Sequence, residues 1–129
     1  MSLVGAQLLT SRDRTRLAGV HPDLVRVIER ARESAMFVVL EGLRSLAQQQ
    51  RNVNAGVSQT MHSRHLTGHA VDIAPLVDGG ITWAWPAYYP LAKIVKAAAE
   101  KEGVPVEWGG DWPRFKDGPH WQLPWDIYP

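Results

Sequence analysis

Three side chains of types that bind metal ions lie in the second half of the chain: His65, Asp72 and His120. Imidazole and carboxylate groups are common zinc ligands, and each ligand atom lies about 2.0–2.2 Å from the ion. His65 and Asp72 are seven residues apart, a separation of about 23 Å in an extended strand. To share one metal ion the chain must fold back between them, and Gly68 gives the backbone that freedom.

A hydrolytic zinc site typically has three protein ligands and leaves the fourth position to water. His120 is the predicted third ligand, and Asp117 precedes it by three residues across a Gly-Pro turn. Because a bound metal lowers the pKa of water to about 7, a carboxylate can take its proton, and Asp117 is the predicted general base. Taken singly, a histidine or an aspartate at these positions is more often an ordinary surface or core residue. Glu107 is the alternative candidate for the general base.

Arg44 follows a short apolar run, Met36 to Leu40, which we predict to be a buried strand. A cation at the end of a core strand projects into the adjoining cleft. There it can bind a substrate carbonyl or carboxylate and stabilise the oxyanion of a hydrolytic reaction. A structural salt bridge is the alternative role for Arg44.

The spacing of apolar residues predicts the elements that must position these side chains. Helices are expected over 12–18, from position 22 onward, over 46–52 and over 86–103, and strands over 36–40, 69–73, 104–108 and 120–123. Because helices and strands do not alternate regularly, the predicted class is α+β, with a small, mainly antiparallel sheet and flanking helices. The whole chain, 1–129, is predicted to be one catalytic domain.

Composition excludes several classes of function. The formal net charge of +1 argues against a protein that binds nucleic acid. The absence of cysteine excludes thiolate ligands and cysteine nucleophiles. Residues 1–10 lack a basic region and a cleavage site, so we predict no signal peptide and no stable membrane association. A monomer made in the cytoplasm is expected.

Three motifs carry a resemblance to a known family. They are Ser-x-His-x-x-Gly-x-Ala-x-Asp at 63–72, Gly-x-Arg-Ser…Gln at 42–48, and Trp-Gly-Gly-Asp-Trp…Phe-x-Asp-x-Pro-His-Trp at 108–121. With these motifs the sequence resembles the zinc D-Ala-D-Ala peptidases. It resembles more closely the phage endolysins called L-alanyl-D-glutamate peptidases, and the likeness covers nearly the whole chain.

This resemblance implies a hedgehog/DD-peptidase-like fold and one Zn²⁺ per chain, held by His65, Asp72 and His120, with Asp117 as base and Arg44 as electrostatic clamp. It implies hydrolysis of the L-alanyl-D-glutamate bond of bacterial peptidoglycan. The enzyme would be stored in the host bacterial cytoplasm and released to act on the cell wall, which causes lysis. Two alternatives stay open: a D-Ala-D-Ala carboxypeptidase or dipeptidase, and a non-catalytic zinc-stabilised wall-binding module.

Four residues are predicted to contact the substrate. Ser63 and Gln48 occupy fixed positions of the motifs, and Trp108 and Trp121 are close to the predicted ligands in sequence. Core packing is the alternative for the two tryptophans. His69 lies beside the first motif but is predicted to point away from Asp72 on an alternating strand.

Overall fold

The structure, a computed structural model, describes residues 8–57 and 61–129. Its elements in chain order are α1 (Ser11–Arg16), α2 (Pro22–Arg32), β1 (Phe37–Glu41), α3 (Leu46–Asn54), a 3₁₀ turn (Arg64–Thr67), β2 (Ala70–Val77), β3 (Gly80–Ile81), α4 (Trp85–Glu102), β4 (Glu107–Trp108), a second 3₁₀ turn (Gly109–Asp111) and β5 (His120–Gln122). Most of the segment 1–10, for which no signal peptide is predicted, lies outside the described residues.

The sheet has the order β1-β2-β5-β4, with β3 paired to β2, and every pair is antiparallel. Its register places Glu41, Asp72 and His120 as neighbours across β1, β2 and β5. An irregularity between Val39 and Glu41 lets the end of β1 turn away from the regular ladder. Side chains of directly paired residues lie on the same face of a sheet, so this row converges on one face.

Two helices supply most of the apolar surface that the core requires. In α2 the predicted stripe that includes Leu24, Val27 and Ile28 is fully buried, and this helix packs against α4. The amphipathic spacing therefore predicted the buried face correctly. Helix α4 ends where expected, because Gly103 adopts a left-handed conformation and its N–H bonds to the Glu100 carbonyl.

Several predicted bounds differ from the observed ones. The expected strand 104–108 is reduced to β4, consistent with Pro105 having no N–H to donate to a ladder. Strand β2 continues to Val77, because the turn at Asp78 and Gly79 lies farther along the chain than the predicted strand end. No helix in the described ranges 8–57 and 61–129 combines the length and apolarity needed to cross a bilayer.

Candidate metal centre and active site

Three donor atoms from distant parts of the sequence meet at one end of the sheet. His65 Nε2 and His120 Nδ1 each lie 3.2 Å from Asp72 Oδ1. The three donor atoms lie within 4.8 Å of one another. Ligand atoms about 2.0–2.2 Å from a tetrahedrally coordinated ion are separated by roughly 3.4 Å, so this set has the dimensions of a metal site.

A tight turn brings His65 to Asp72. Ser63 caps the 3₁₀ turn by accepting the His65 N–H, and Gly68 ends the turn in the left-handed region with φ of 76°. The turn is held from both sides, because Arg44 N–H donates to the His65 carbonyl and His21 N–H donates to the Gly68 carbonyl. The fold-back that the sequence required is therefore present, with glycine where the backbone needs it.

The pairing of β2 with β5 positions the other two donors. Asp72 and His120 are direct cross-strand partners, and their side chains share a face of the sheet. The Ile73 N–H donates to the Pro119 carbonyl and fixes the register at the entrance to β5. Two strands thus place a carboxylate and an imidazole side by side, and the turn adds the second imidazole above them.

The hydrogen bonds on the far side of each imidazole decide which nitrogen faces Asp72. His65 Nδ1 lies 2.8 Å from the Gly42 carbonyl oxygen; this oxygen only accepts, so the nitrogen carries a proton. His120 Nε2 lies 2.8 Å from Gln122 Oε1, and an amide oxygen likewise only accepts, so this nitrogen carries the proton of a neutral ring. In neutral imidazoles the two nitrogens that face Asp72 are therefore lone-pair acceptors beside a third acceptor. Such a trio needs a cation at its centre, and the donor set fits a divalent metal ion.

The charges of the trio respond to one another. Burial alone would raise the pKa of Asp72, but the adjacent imidazoles of His120 and His65, through hydrogen bonding and charge together, outweigh burial and hold that pKa well below its usual value. Burial opposes protonation of His120, but the hydrogen bond to Asp72 and its negative charge, together with Gln122 and Asp117, outweigh burial and raise the pKa of His120 above the ordinary value of 6.5. Protons therefore compete with a metal ion for His120 up to a higher pH than they would for an ordinary histidine.

Asp117 lies beside the trio, in the loop that leads into β5. Its N–H donates to the Gly109 carbonyl, and its own carbonyl accepts the His120 N–H. Burial raises the pKa of Asp117 above its usual value, and the negative charge of Asp72 adds to the increase against the opposing effect of nearby cations. A half-buried carboxylate of raised pKa next to a metal site has the properties of a general base.

Arg44 reaches the same cleft but is also engaged in a structural network. Its guanidinium forms an ion pair with Glu41, and Nη1 donates to Gln49 Oε1 at 2.6 Å. The side chain is 12% exposed, so its direction is fixed by these contacts. The structure thus combines the two alternatives for Arg44, because the salt bridge orients a cation that lines the cleft.

A cleft of about 440 Å³ opens over the donor atoms. Of the four predicted substrate contacts, Ser63 lines this cleft. Gln48 instead donates to Asn52 and accepts from Arg51 on α3. Gln48 was predicted to contact the substrate, but it lies outside the cleft lining, because its side chain bonds to neighbouring residues on the surface of α3.

The two tryptophans also lie outside the lining of the metal cleft. Trp121 is 1% exposed and stacks on Trp108 with ring centroids 5.9 Å apart. The indole N–H of Trp108 donates to the Gly118 carbonyl at 2.7 Å. Trp121 follows His120 on β5 and therefore points to the opposite face of the sheet. These surroundings favour structural roles over the predicted contact with substrate.

No role was predicted for the cleft residues Asn52, Val57, Arg114 and Trp125, and Phe115 was identified only as a position of the third motif. Phe115 is the most unusual of them, because it is 71% exposed and has a positive φ of 54°. His69 lies away from the trio, as predicted, with Nδ1 2.6 Å from Thr67 Oγ1. Phe115 stands in the third motif and could have been found there; Asn52 and Val57 carry no recognisable signal.

An α+β domain with two imidazoles, a carboxylate and a neighbouring half-buried aspartate in an open cleft has the site architecture of a metal-dependent hydrolase. A family model described as phage L-alanyl-D-glutamate peptidase matches residues 6–122. The chain belongs to this family. A curated relative named L-alanyl-D-glutamate peptidase, from Listeria phage A118, is 42% identical over 91 residues, which are 70% of this chain and 31% of that protein.

Two further relatives match over more of their length. A protein of the same name from Escherichia phage T5 is 34% identical over 102 residues, covering 74% of each chain. The crystal structure of the Serratia marcescens L-Ala D-Glu endopeptidase ChiX is 49% identical, with 99% of each chain covered and a TM-score of 0.90. This structural likeness confirms the predicted α+β class with a small antiparallel sheet and flanking helices.

Proposed function

We propose that this protein is a peptidoglycan endopeptidase that hydrolyses the L-alanyl-D-glutamate bond of the stem peptide, and that its metal ion is zinc. The observation that carries the proposal is the convergence of three lone-pair donors beside the half-buried carboxylate of Asp117. The names of the similar phage proteins and of the Serratia enzyme support the choice of bond. His/Asp donor sets are typical of catalytic zinc.

Zinc held by His65, Asp72 and His120 would supply an activated water and polarise the scissile carbonyl. Asp117 accepts the proton of the attacking water as its oxygen bonds to the L-alanyl carbonyl carbon. When the C–N bond breaks, Asp117 returns that proton to the amine nitrogen of D-glutamate. Arg44, fixed by its ion pair with Glu41, faces the negative charge that develops on the carbonyl oxygen or binds a substrate carboxylate.

The charge of the cleft suits an anionic peptide. Arg44 and Arg114 both line it, and the D-glutamate next to the scissile bond carries a free carboxylate. Charged groups arranged in this way orient a substrate and exclude the wrong ones more than they add affinity. We therefore assign peptidoglycan stem peptides as the binding partner and propose a monomer, since one chain supplies every residue of the site.

The cellular setting follows from this activity. We propose that residues 1–129 act as one catalytic domain, and that the enzyme reaches the cell wall from the bacterial cytoplasm at lysis. An experiment on intact cells and cells with permeabilised membranes separates the two sides. Added protein should lyse cells only where it can reach the peptidoglycan layer, and lysis independent of such access would contradict the proposal.

The test of the activity is digestion of purified sacculi, followed by identification of the new amino terminus by mass spectrometry. Free D-glutamate amine is expected, whereas released D-alanine would assign the carboxypeptidase activity instead. Asp117→Asn should lower the rate by about 10²–10⁴-fold, the usual contribution of a general base, while zinc stays bound. The matched control is Asp78→Asn in the β2–β3 turn, because asparagine also tolerates the left-handed backbone found there.

Two results would contradict this assignment. A wild-type protein that binds zinc but releases no product from sacculi would favour a wall-binding module. An Asp117→Asn variant with undiminished activity would remove Asp117 from the reaction, and Glu107 would then be tested by the same substitution. Loss of activity in the Asp78→Asn control would mean that the assay reports folding and not catalysis.

A further inference from the structure

A chain of hydrogen bonds runs from His120 to the edge of the sheet. His120 Nε2 and Gln122 Oε1 are 2.8 Å apart, and Gln122 Nε2 donates to Glu107 Oε2 at 2.9 Å. His120 and Gln122 are two apart on β5 and so share a face. Gln122 and Glu107 are direct cross-strand partners, so the three side chains form a continuous row on the metal-binding face.

The direction of each hydrogen bond in this row follows from its last member. The carboxylate of Glu107 only accepts hydrogen bonds, so the amide of Gln122 must turn its NH₂ group toward Glu107. Its oxygen then faces His120 and can only accept. The proton of the neutral His120 ring is therefore held on Nε2, and the lone pair is left on Nδ1, the nitrogen 3.2 Å from Asp72 Oδ1.

We propose that Gln122 and Glu107 are positioning residues that fix the tautomer and ring orientation of His120 for metal binding. The inference rests on the proposed metal site. Hydrogen-bond partners behind a metal-bound histidine typically change metal affinity by 10–100-fold when they are removed. Glu107, the alternative base in the sequence analysis, thereby has a different role, on the far side of Gln122 from the metal donors.

The surroundings of Gln122 support this role. The side chain is 7% exposed, so water has little access to replace the amide as the partner of His120. Ala70, its cross-strand neighbour on β2, is fully buried and small, and a larger residue there would compete with Gln122 for space. The small residue at position 70 thus has a physical reason in the amide beside it.

The other imidazole is fixed in a different way. His65 depends on the backbone carbonyl of Gly42, which no side-chain substitution removes. The tautomer of His120 depends entirely on side chains, so it is the one that mutation can change. This contrast provides an internal reference, because the tautomer of His65 should stay constant when Gln122 or Glu107 is altered.

The decisive experiment compares Gln122→Met, Glu107→Ala and the exchange variant Gln122→Glu/Glu107→Gln. In the exchange variant a carboxylate accepts from His120 and from the new amide, and the net charge is unchanged. Glu100→Ala, an exposed carboxylate on α4, is the matched control for Glu107→Ala. Two quantities are measured: the Zn²⁺ dissociation constant by chelator competition, and the tautomers of the His65 and His120 rings by ¹⁵N NMR of the metal-free protein. The pH is raised until the ¹⁵N shifts stop changing, so that both rings are neutral.

Gln122→Met should weaken Zn²⁺ binding by about 10–100-fold and should shift His120 away from the Nε2–H tautomer, with His65 unchanged. Glu107→Ala, which leaves the amide free to rotate, should cause a smaller loss in the same direction. The exchange variant should recover wild-type affinity and tautomer, and the Glu100→Ala control should not differ from wild type. An unchanged His120 tautomer in Gln122→Met, or an exchange variant as weak as that variant, would overturn the proposal.

These measurements separate the inference from the proposed function. Neither zinc affinity nor the ring tautomer requires substrate hydrolysis. If Gln122 and Glu107 prove not to position His120, the peptidase assignment therefore still stands. Conversely, a wild-type protein without peptidase activity, in which the His120 tautomer still depends on Gln122, would refute the proposed function and support the positioning role of Gln122 and Glu107. Gln122 also lines the cleft, but a residue that only contacted substrate would move neither readout.

Discussion

The distance between Asp117 and the metal donors depends on a glycine in a neighbouring turn. A Cβ atom placed on Gly109 would lie 2.4 Å from the Asp117 carbonyl oxygen, 2.9 Å from Asp117 Cβ and 3.1 Å from His120 Cβ. The Gly109 carbonyl also accepts the Asp117 N–H. Gly109 is not in the left-handed region, so alanine is compatible with its backbone conformation. Gly109→Ala is therefore a steric change directed at the base.

The expected magnitude follows from these distances. The contact of 2.4 Å is with a backbone oxygen and is about 1 Å shorter than the 3.4 Å at which ordinary contact begins. The loop that carries Asp117 must move by roughly that amount. A displacement of about 1 Å in a catalytic group can reduce the rate by about 100-fold, which corresponds to about 2.7 kcal/mol in activation free energy. Overpacking should also cost about 1–3 kcal/mol of folding stability.

The assay measures kcat on a soluble stem-peptide substrate, the Zn²⁺ dissociation constant and the unfolding temperature of the same preparation. We expect kcat to fall about 100-fold and zinc affinity to fall much less, since the contact with His120 Cβ, at 3.1 Å, is the weaker clash. Gly80→Ala is the control, because its Cβ would meet its nearest neighbour at 3.8 Å. A folded Gly109→Ala protein with wild-type kcat would refute the reasoning.

Three further predictions concern the metal, the fold-back and the cleft. The pKa of His120 is raised above 6.5 in the metal-free protein, so protons compete with the metal ion for this side chain. Zinc affinity measured from about pH 5.5 to 8 should therefore rise by up to tenfold per pH unit and level off above the pKa of His120. A zinc affinity that stayed constant over this range would contradict the prediction. In Gly68→Ala the new Cβ would lie 2.2 Å from the Gly19 carbonyl oxygen, at a φ of +76°. The free energy of unfolding, measured by chemical denaturation, should fall by roughly 2–5 kcal/mol. A loss below about 1 kcal/mol would be too small for this clash and would contradict the prediction. Phe115→Gly should raise KM and leave the unfolding temperature unchanged or higher. The control Asp78→Gly, which also removes a side chain from a left-handed backbone position, should change stability alone. An unaltered KM in Phe115→Gly would exclude a contact between Phe115 and the substrate.

The approach of His65 to Asp72 could be predicted because the turn between them is local. His120 meets Asp72 through the register of β2 and β5, so it could be named only from the number of ligands that a zinc site requires and from the family resemblance. The turn between His65 and Asp72 needs a glycine in the left-handed region, and Gly68 provides it. The apolar spacing of α2 and α4 and the glycine at the end of α4 likewise depend on neighbours within a few turns. Features of this range are readable from residue type and spacing alone.

The partners behind the site could not be predicted, because they depend on strand register. Strand β4 has two residues, and its pairing with β5 decides that Glu107 faces Gln122. A shift by one residue would turn every side chain of a strand to the other face. Trp121 lies outside the cleft lining for a related reason, because it is adjacent to His120 in sequence, and neighbouring residues on a strand point to opposite faces of the sheet.

Phe115 shows a different kind of limit. A left-handed backbone costs a residue with a side chain about 1–2 kcal/mol, and a sequence gives no reason to expect phenylalanine there. The loop is constrained from outside, because hydrogen bonds tie its two ends together, from Trp112 N–H and Asp117 N–H to the same Gly109 carbonyl. Closing the loop in this way imposes a tight reversal, and the residue at the reversal is an aromatic ring exposed in the cleft. Neither burial nor local conformation favours that ring, so the benefit that offsets its cost must be sought in the substrate complex.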